Sequence, residues 1–377
     1  MTLYFVLNAR IPSKKAYGIH VAKMCEAFTH AGLRVVLVVP GTRAARASLQ
    51  EFHGLTVSVP MVRIPVPDWY GANRTGFLLS SLAFMLGSFV YLCTRARNGS
   101  IVYTADMDTF SFALLPYAGL PVFAEMHDWR GASFLTRAFF KRARAIITTN
   151  TETAARLTQA FRIPEERLLV EANGVDASWF DGLQTKAEAR TVLGMPEAGK
   201  IALYAGRAYD WKGLDILADS AQHASDIEWY LVGATAEEFK QATGVSVIPT
   251  NLHLLGEVQF SAVPQYLSTA DVLLVIGTKR NSQSWQHTSP MKVYEYMARE
   301  RPIVASKTPA LTSIMNDAQA IFVAPDDAAA LIGGVRTALS ESAHIAEMVT
   351  QDVRLAREHT WDARAARIKA FMASSLG

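Results

Sequence analysis

Only two cysteines occur among 377 residues, which excludes a disulfide framework or a cysteine-built metal cluster. Cys25 and Cys93 lie far apart in apolar, helical-looking stretches and read as buried thiols of a cytosolic protein. A charge excess is missing too: 37 Lys+Arg against 34 Asp+Glu leave a formal +3, so nothing in the balance calls for nucleic acid as a partner. There is no HExxH, no Cys/His set and no aspartate triad; no metal is expected, and no cofactor. The GxGxxG fingerprint is also absent, since Gly18 in AYGIH (Ala16 to His20) has the wrong spacing, which weighs against a dehydrogenase. Residues 1–7 are apolar but are followed at once by Asn8, Arg10, Lys14 and Lys15, the pattern of a first strand and its loop instead of a cleavable signal. Long apolar runs are scarce. The exception, Gly76 to Cys93, is uncharged but carries Ser80, Ser81 and Ser88 and has no second span beside it. It reads as a helix packed on a sheet or laid on a membrane surface.

What is present is hydrophobic residue in quantity, 50% of the chain, enough to fill two cores at this length. Short apolar runs recur between helical patterns: Leu3 to Leu7, Val35 to Val39, Ile101 to Thr104, Val122 to Glu125 and Ala145 to Thr148, with a helix from about Ile19 to Ala31. A second series follows at Ile201 to Ala205, Trp229 to Val232, His253 to Leu255, Val272 to Ile276 and Pro302 to Ala305. Such alternation predicts an α/β protein of two Rossmann-like domains, with ligands at the carboxyl ends of parallel strands and a central cleft between the domains. The expected limits are 1–180, then 181–350 with Asp181 to Lys200 as connection, then a charged terminal helix, about Ala346 to Phe371, which either ends the second domain or, from 351 on, crosses back to brace the first.

Three places carry candidate chemistry. Gly206 and Arg207 follow a strand directly, with Lys212 and Gly213 close behind; glycine permits close backbone approach and the cations offset a diphosphate. In SPMKVYEYMA, Ser289 is a good N-cap and Pro290 a good first helical residue, so the unpaired amides of the first turn, those of Met291 and Lys292 among them, can face an anion while Glu295 accepts hydroxyl hydrogen bonds. The strand end EMHD offers His127 as a donor to a sugar hydroxyl or departing phosphate, with Asp128 orienting the loop; Gly18 and His20 at the first helix are acceptor-side candidates. Arg137, Lys141, Arg142 and Arg144 beside Phe134, Phe139 and Phe140 form either a solvated helix face or a contact for an anionic membrane.

The strings AYGIHVAKMCEAF, EMHD, EANGVD, YAGRAYDWKGLDIL, GEVQFSAVPQYLSTADV, SPMKVYEYMA, RPIVAS and HTWDARAARI, in that order over nearly the whole chain, resemble retaining nucleotide-sugar glycosyltransferases of family 4 with the B-type (GT-B) fold. The resemblance implies transfer from a nucleoside-diphosphate sugar to an acceptor hydroxyl without a covalent intermediate, with a glycan or lipid-linked saccharide as acceptor, in surface polysaccharide or glycolipid synthesis. By that likeness Arg207 and Lys212 hold the diphosphate, Glu295 the ribose, and His127 approaches the transferred sugar. Family members commonly carry two glutamates with seven residues between them; here His287 stands at the first position, which puts the sugar identity in question. A glycan phosphorylase or nucleotide-sugar epimerase on the same architecture, and a non-catalytic glycan-binding scaffold, are the competing readings. The expected place is the cytoplasm, at the inner membrane face.

Overall fold

The computed structural model describes residues 1–42, 47–108, 110–127, 131–182, 184–287, 291–340 and 342–377. They divide into two compact units, Met1–Ala172 with Trp361–Gly377, and Asn173–Thr360.

The first unit is built on β1 (Thr2–Val6), β2 (Arg34–Gly41), β3 (Met61–Pro65), β4 (Ile101–Ala105), β5 (Val122–Met126), β6 (Ala145–Thr148) and β7 (Leu168–Val170). Their order, β3-β2-β1-β4-β5-β6-β7, is parallel throughout, with Leu3 opposite both Val35 and Ile101. The order reverses between β1 and β4, the place where open sheets leave room for ligands beyond their carboxyl ends. Both faces are covered, so the central strands are apolar on each side; Phe5, Leu37, Val102 and Phe123 have no exposed surface. The Arg74–Arg95 helix packs on β2 and β3 through Phe84 and Leu92. By length and composition it is apolar enough to cross a membrane, but one side of it is packed into the core of this unit. Cys25 is buried as expected, whereas Cys93 faces solvent because it lies on the outer side of that helix.

The second unit holds β8 (Lys200–Ala205), β9 (Ile227–Val232), β10 (Leu252–Leu254), β11 (Val272–Val275), β12 (Ile303–Ser306) and β13 (Ile321–Val323), ordered β10-β9-β8-β11-β12-β13 and again parallel. Its switch point lies between β8 and β11. Residues 181–200 are not a loose connection: Arg190, on the Lys186–Leu193 helix, is buried and donates to Thr269 O and Asp271 Oδ2. Nor is the chain end one helix. Ala343–Glu358 and Trp361–Leu376 are separated at His359–Thr360, where Val175 N donates to His359 O and Val175 bridges Thr360 in extended pairing. Ala343–Glu358 packs on the Lys292–Met297 helix of the second unit, and the return to the first unit starts at Trp361, ten residues later than the expected 351.

Candidate functional site

In the second unit the site begins where β8 ends. Gly206 has φ +147°, and a Cβ there would stand 2.9 Å from Lys292 Nζ, so the position admits no larger residue beside that ammonium. Tyr296 fastens the Lys292–Met297 helix to this point: its hydroxyl accepts from Ala205 N at 2.7 Å and donates to Ala205 O at 3.3 Å. Lys292 is thereby held over the Tyr204 ring, 3.6 Å from its centroid, and Lys212 Nζ lies 5.8 Å from the same ring. Lys212 donates to Arg207 O at 3.0 Å, also close to the Tyr209 and Trp211 rings. Arg207 is half exposed and pairs with Glu257 at 3.1 Å.

The electrostatics are governed by the burial of ionisable groups. Lys292 Nζ is buried and has no hydrogen-bond partner among the described residues. Burial, and then the neighbouring Lys212 charge, hold its pKa well below the ordinary lysine range, only partly offset by Glu295. Burial with Arg207 alongside brings Lys212 down to about 8. Glu295 moves the other way, raised to about 7 by burial against the pull of Lys292. Two depressed lysines and one raised carboxyl side by side mean that burial here works against charge of either sign.

The first unit gathers a second polar cluster at the ends of β4 and β5. His127 donates from Nε2 to Glu125 Oε1 (2.7 Å), and its Nδ1 lies 2.9 Å from Asp106 Oδ2. Burial opposes charge on the ring, but Asp106 and Glu125 raise its pKa to about 10, so it is an imidazolium at neutral pH. Glu125 has no exposed surface; it also accepts from Arg364 Nη2 at 2.6 Å and from the Tyr103 hydroxyl. Burial alone would raise this carboxyl, yet Arg364 and the two histidines hold it well below its usual range. His20 Nε2 lies 3.1 Å from Glu125 Oε1 without hydrogen-bond alignment, and its ring sits edge-on to His127 and Trp361. Burial lowers the His20 pKa against the pull of Glu125. His20, Glu125 and His127 bring ligand-type atoms within 4.8 Å of one another, but Arg364 and the His127 imidazolium already oppose an added cation.

Gly206, Arg207, Lys212, Lys292 and Glu295 thus come together in one unit, and His127 and His20 in the other. Gly213 sits on the same β8 loop, with its Cβ position 2.6 Å from Thr278 Cβ. Gly18 has a packing reason to be glycine, since a Cβ would stand 2.1 Å from Ser13 O. Met291 occupies the N-cap position of the Lys292–Met297 helix, without a side-chain cap bond; Ser289, Pro290 and Asp128 lie outside the described residues. His287 closes the Gln283–His287 π-turn before this helix. Sequence reasoning missed Asp106, Tyr204 and Arg364. Glu125 and His127 are two apart on a strand, the spacing that puts both on one face, whereas nothing in the tail marks Arg364 as their partner.

Residues 18–179 match the family described as Glycosyltransferase Family 4, and residues 199–341 match Glycosyl transferases group 1. The chain belongs to the family 4 glycosyltransferases. A curated relative from Bacillus subtilis (strain 168), named "Putative teichuronic acid biosynthesis glycosyltransferase TuaC", is 26% identical over 160 residues, 42% of this chain; the match spans 38% of that relative's length. Among solved structures, sucrose-phosphate synthase of Thermosynechococcus elongatus superposes with TM-score 0.76 at 16% identity, covering 100% of this chain and 99% of that one. HepE of Anabaena, solved with UDP and glucose, gives 0.71 at 16% identity over 99% and 100% of the two chains. WaaG, a glycosyltransferase involved in lipopolysaccharide biosynthesis, gives 0.70 at 14% identity over 98% and 99%. At these identities the likeness establishes the GT-B fold, two Rossmann-like α/β domains.

Proposed function

We propose that this protein moves a sugar from a nucleoside-diphosphate sugar to an acceptor hydroxyl of a glycan or lipid-linked saccharide, with retention at the anomeric carbon, in surface polysaccharide or glycolipid synthesis. The observation that carries the reading is Lys292: a buried amine without a hydrogen-bond partner among the described residues, beside Lys212 and Arg207 at the switch point of the second sheet. A diphosphate offers Lys292 a counter-charge, and the same cations stabilise the negative charge that grows on it as the glycosidic bond breaks. Glu295, one helical turn from Lys292, is assigned to the ribose hydroxyls. His127 already carries its proton, so toward the sugar it acts as a charged donor; a sugar oxygen would take the position that half-exposed Asp106 holds at Nδ1. We place the enzyme on the cytoplasmic side, at an anionic membrane surface, in keeping with the free thiols of Cys25 and Cys93.

A panel of UDP and GDP sugars tests this by thermal shift and slow hydrolysis. One nucleoside diphosphate should raise the midpoint, and NMR of the transferred sugar should show the donor's anomeric configuration. Failure of every nucleoside diphosphate to bind would overturn the reading. Two further outcomes follow from the same residues. The ribose contact needs the Glu295 carboxylate and the phosphate contact needs the Lys212 ammonium, so kcat/KM for the donor should climb through about pH 7 and fall through about pH 8. Lys212→Arg, whose guanidinium stays charged, should abolish the alkaline fall; a fall that persists would remove Lys212 as its source. His287→Glu should change the ranking of donor sugars at constant nucleotide, because a carboxylate accepts through two oxygens where imidazole does not. An unchanged ranking would end its claim to selectivity.

A further inference from the structure

The Arg74–Arg95 helix buries one side and offers the other, still apolar, to solvent. Phe84, Ser88 and Leu92 are at most 1% exposed, while Leu79, Leu82, Leu86 and Val90 are 46, 41, 49 and 57% exposed. Those four recur every three or four residues, so they line up as a stripe roughly 16 Å long. At its amino-terminal end the stripe opens into a cavity of about 400 Å³ with only apolar lining, including Leu78, Leu82, Met85, Phe110 and Leu135. Phe134, beside Leu135 at the start of the Phe134–Arg142 helix, is 83% exposed.

Charge decides what covers this face. Neither helix contains an acidic residue; their charged side chains are Arg74, Arg95, Arg137, Lys141 and Arg142, all exposed. A second copy of the chain would bring cations against cations, whereas an anionic bilayer satisfies the apolar stripe and the basic margin together. The face also adjoins the strand ends. Ser81, in the same turn as Leu78 and Leu82, accepts from Asn8 Nδ2, and Asn8 in turn binds Asp108 and the Tyr70 hydroxyl beyond β1 and β4.

We propose that this face seats the first unit on an anionic phospholipid bilayer, with lipid hydrocarbon entering the cavity, so that a membrane-borne acceptor arrives beside the polar groups at the strand ends. It deepens the acceptor reading given above, and vesicle binding can be measured without turnover. In co-sedimentation, the full chain should bind phosphatidylcholine vesicles containing phosphatidylglycerol at least tenfold better than phosphatidylcholine alone. Leu82→Gln with Leu86→Gln, both on solvent-exposed positions, should lower that binding about tenfold or more. Arg74→Gln with Lys141→Gln should cost about fivefold per cation on anionic vesicles and little on neutral ones. Both variants should keep the wild-type thermal midpoint and the wild-type shift on adding nucleoside diphosphate. Absence of wild-type binding to either vesicle, or equal binding by the leucine variant, would overturn the proposal. So would a wild-type dimer in sedimentation equilibrium that the leucine variant converts to monomer, since the face would then belong to a second copy. Failure of the diphosphate shift alone would strike the transferase reading and leave bilayer docking standing.

Discussion

Lys292→Met should yield a protein as stable as the wild type or more so, and nearly inactive. The ammonium is buried with no hydrogen-bond partner among the described residues, and burial outweighs what the Tyr204 ring and Glu295 return to its charge until an anion arrives. Methionine keeps much of the stem's volume against Tyr204 and removes the desolvation penalty. Transfer, in contrast, loses a preorganised charge aimed at the leaving group, and donor kcat/KM should fall by about 10²–10³-fold. A companion measurement separates this from ordinary damage. Burial and Lys212 disfavour the charged form of Lys292 and a bound diphosphate favours it, so diphosphate binding should be accompanied by proton uptake that grows with pH. Calorimetry in buffers of differing ionisation enthalpy reads that uptake, and Lys292→Met should abolish it. Near-normal transfer, or a midpoint several degrees lower, would show that Lys292 serves the fold instead.

Arg364→Met should have the largest effect on stability. It strips the nearest counter-charge from a carboxylate with no exposed surface, a change that typically costs about 3–5 kcal/mol. Glu125→Gln in the same chain should restore more than half, because the pair is then removed together. The pH dependence supplies the sign. Glu125 lies well below its ordinary value of 4.5 in the folded protein, so its contribution is present above about 4.5 and is lost as pH falls toward the lowered value. Without Arg364 burial dominates and raises the carboxyl, so the Arg364→Met deficit should shrink on acidification. Urea titrations between about pH 3 and 8 check both points. A single variant indistinguishable from wild type would mean that His127, His20 and Tyr103 suffice to hold Glu125.

The central strands were legible because each is buried on both faces: Val35 to Val39 and Val272 to Ile276 are unbroken apolar runs that nothing but a covered parallel strand explains. The three strands that went unseen, β3, β7 and β13, all lie at sheet edges. An edge strand is half covered and short, so its composition tolerates Arg63 within β3 and an exposed Val170 at the end of β7. The diphosphate site was legible for a local reason, since Gly206, Arg207, Lys212 and Gly213 occupy one loop. The cluster around His127 was only half legible. Glu125 is its strand neighbour, whereas Arg364 arrives from more than two hundred residues away, and separation of that kind leaves no trace in spacing. Likewise Thr360 breaks the terminal helix through a tertiary partner, Val175, and a helical pattern on either side conceals the break.

The return of the chain at Trp361 also orders events in time. Residues up to Ala172 leave the ribosome with the whole first sheet but without its last helix, and with it lack Arg364, Arg367 and Lys369, which bind Glu125, Glu171 and Ala31 O. The entire second unit must be synthesised before those contacts can form, on the order of ten seconds or more at 5–20 residues per second. Over that interval the nascent first unit holds a carboxylate in its core whose guanidinium partner has not yet been made. The first unit is therefore the last to be completed, and a released chain truncated before Trp361 should hold a folded second unit and a protease-sensitive first one.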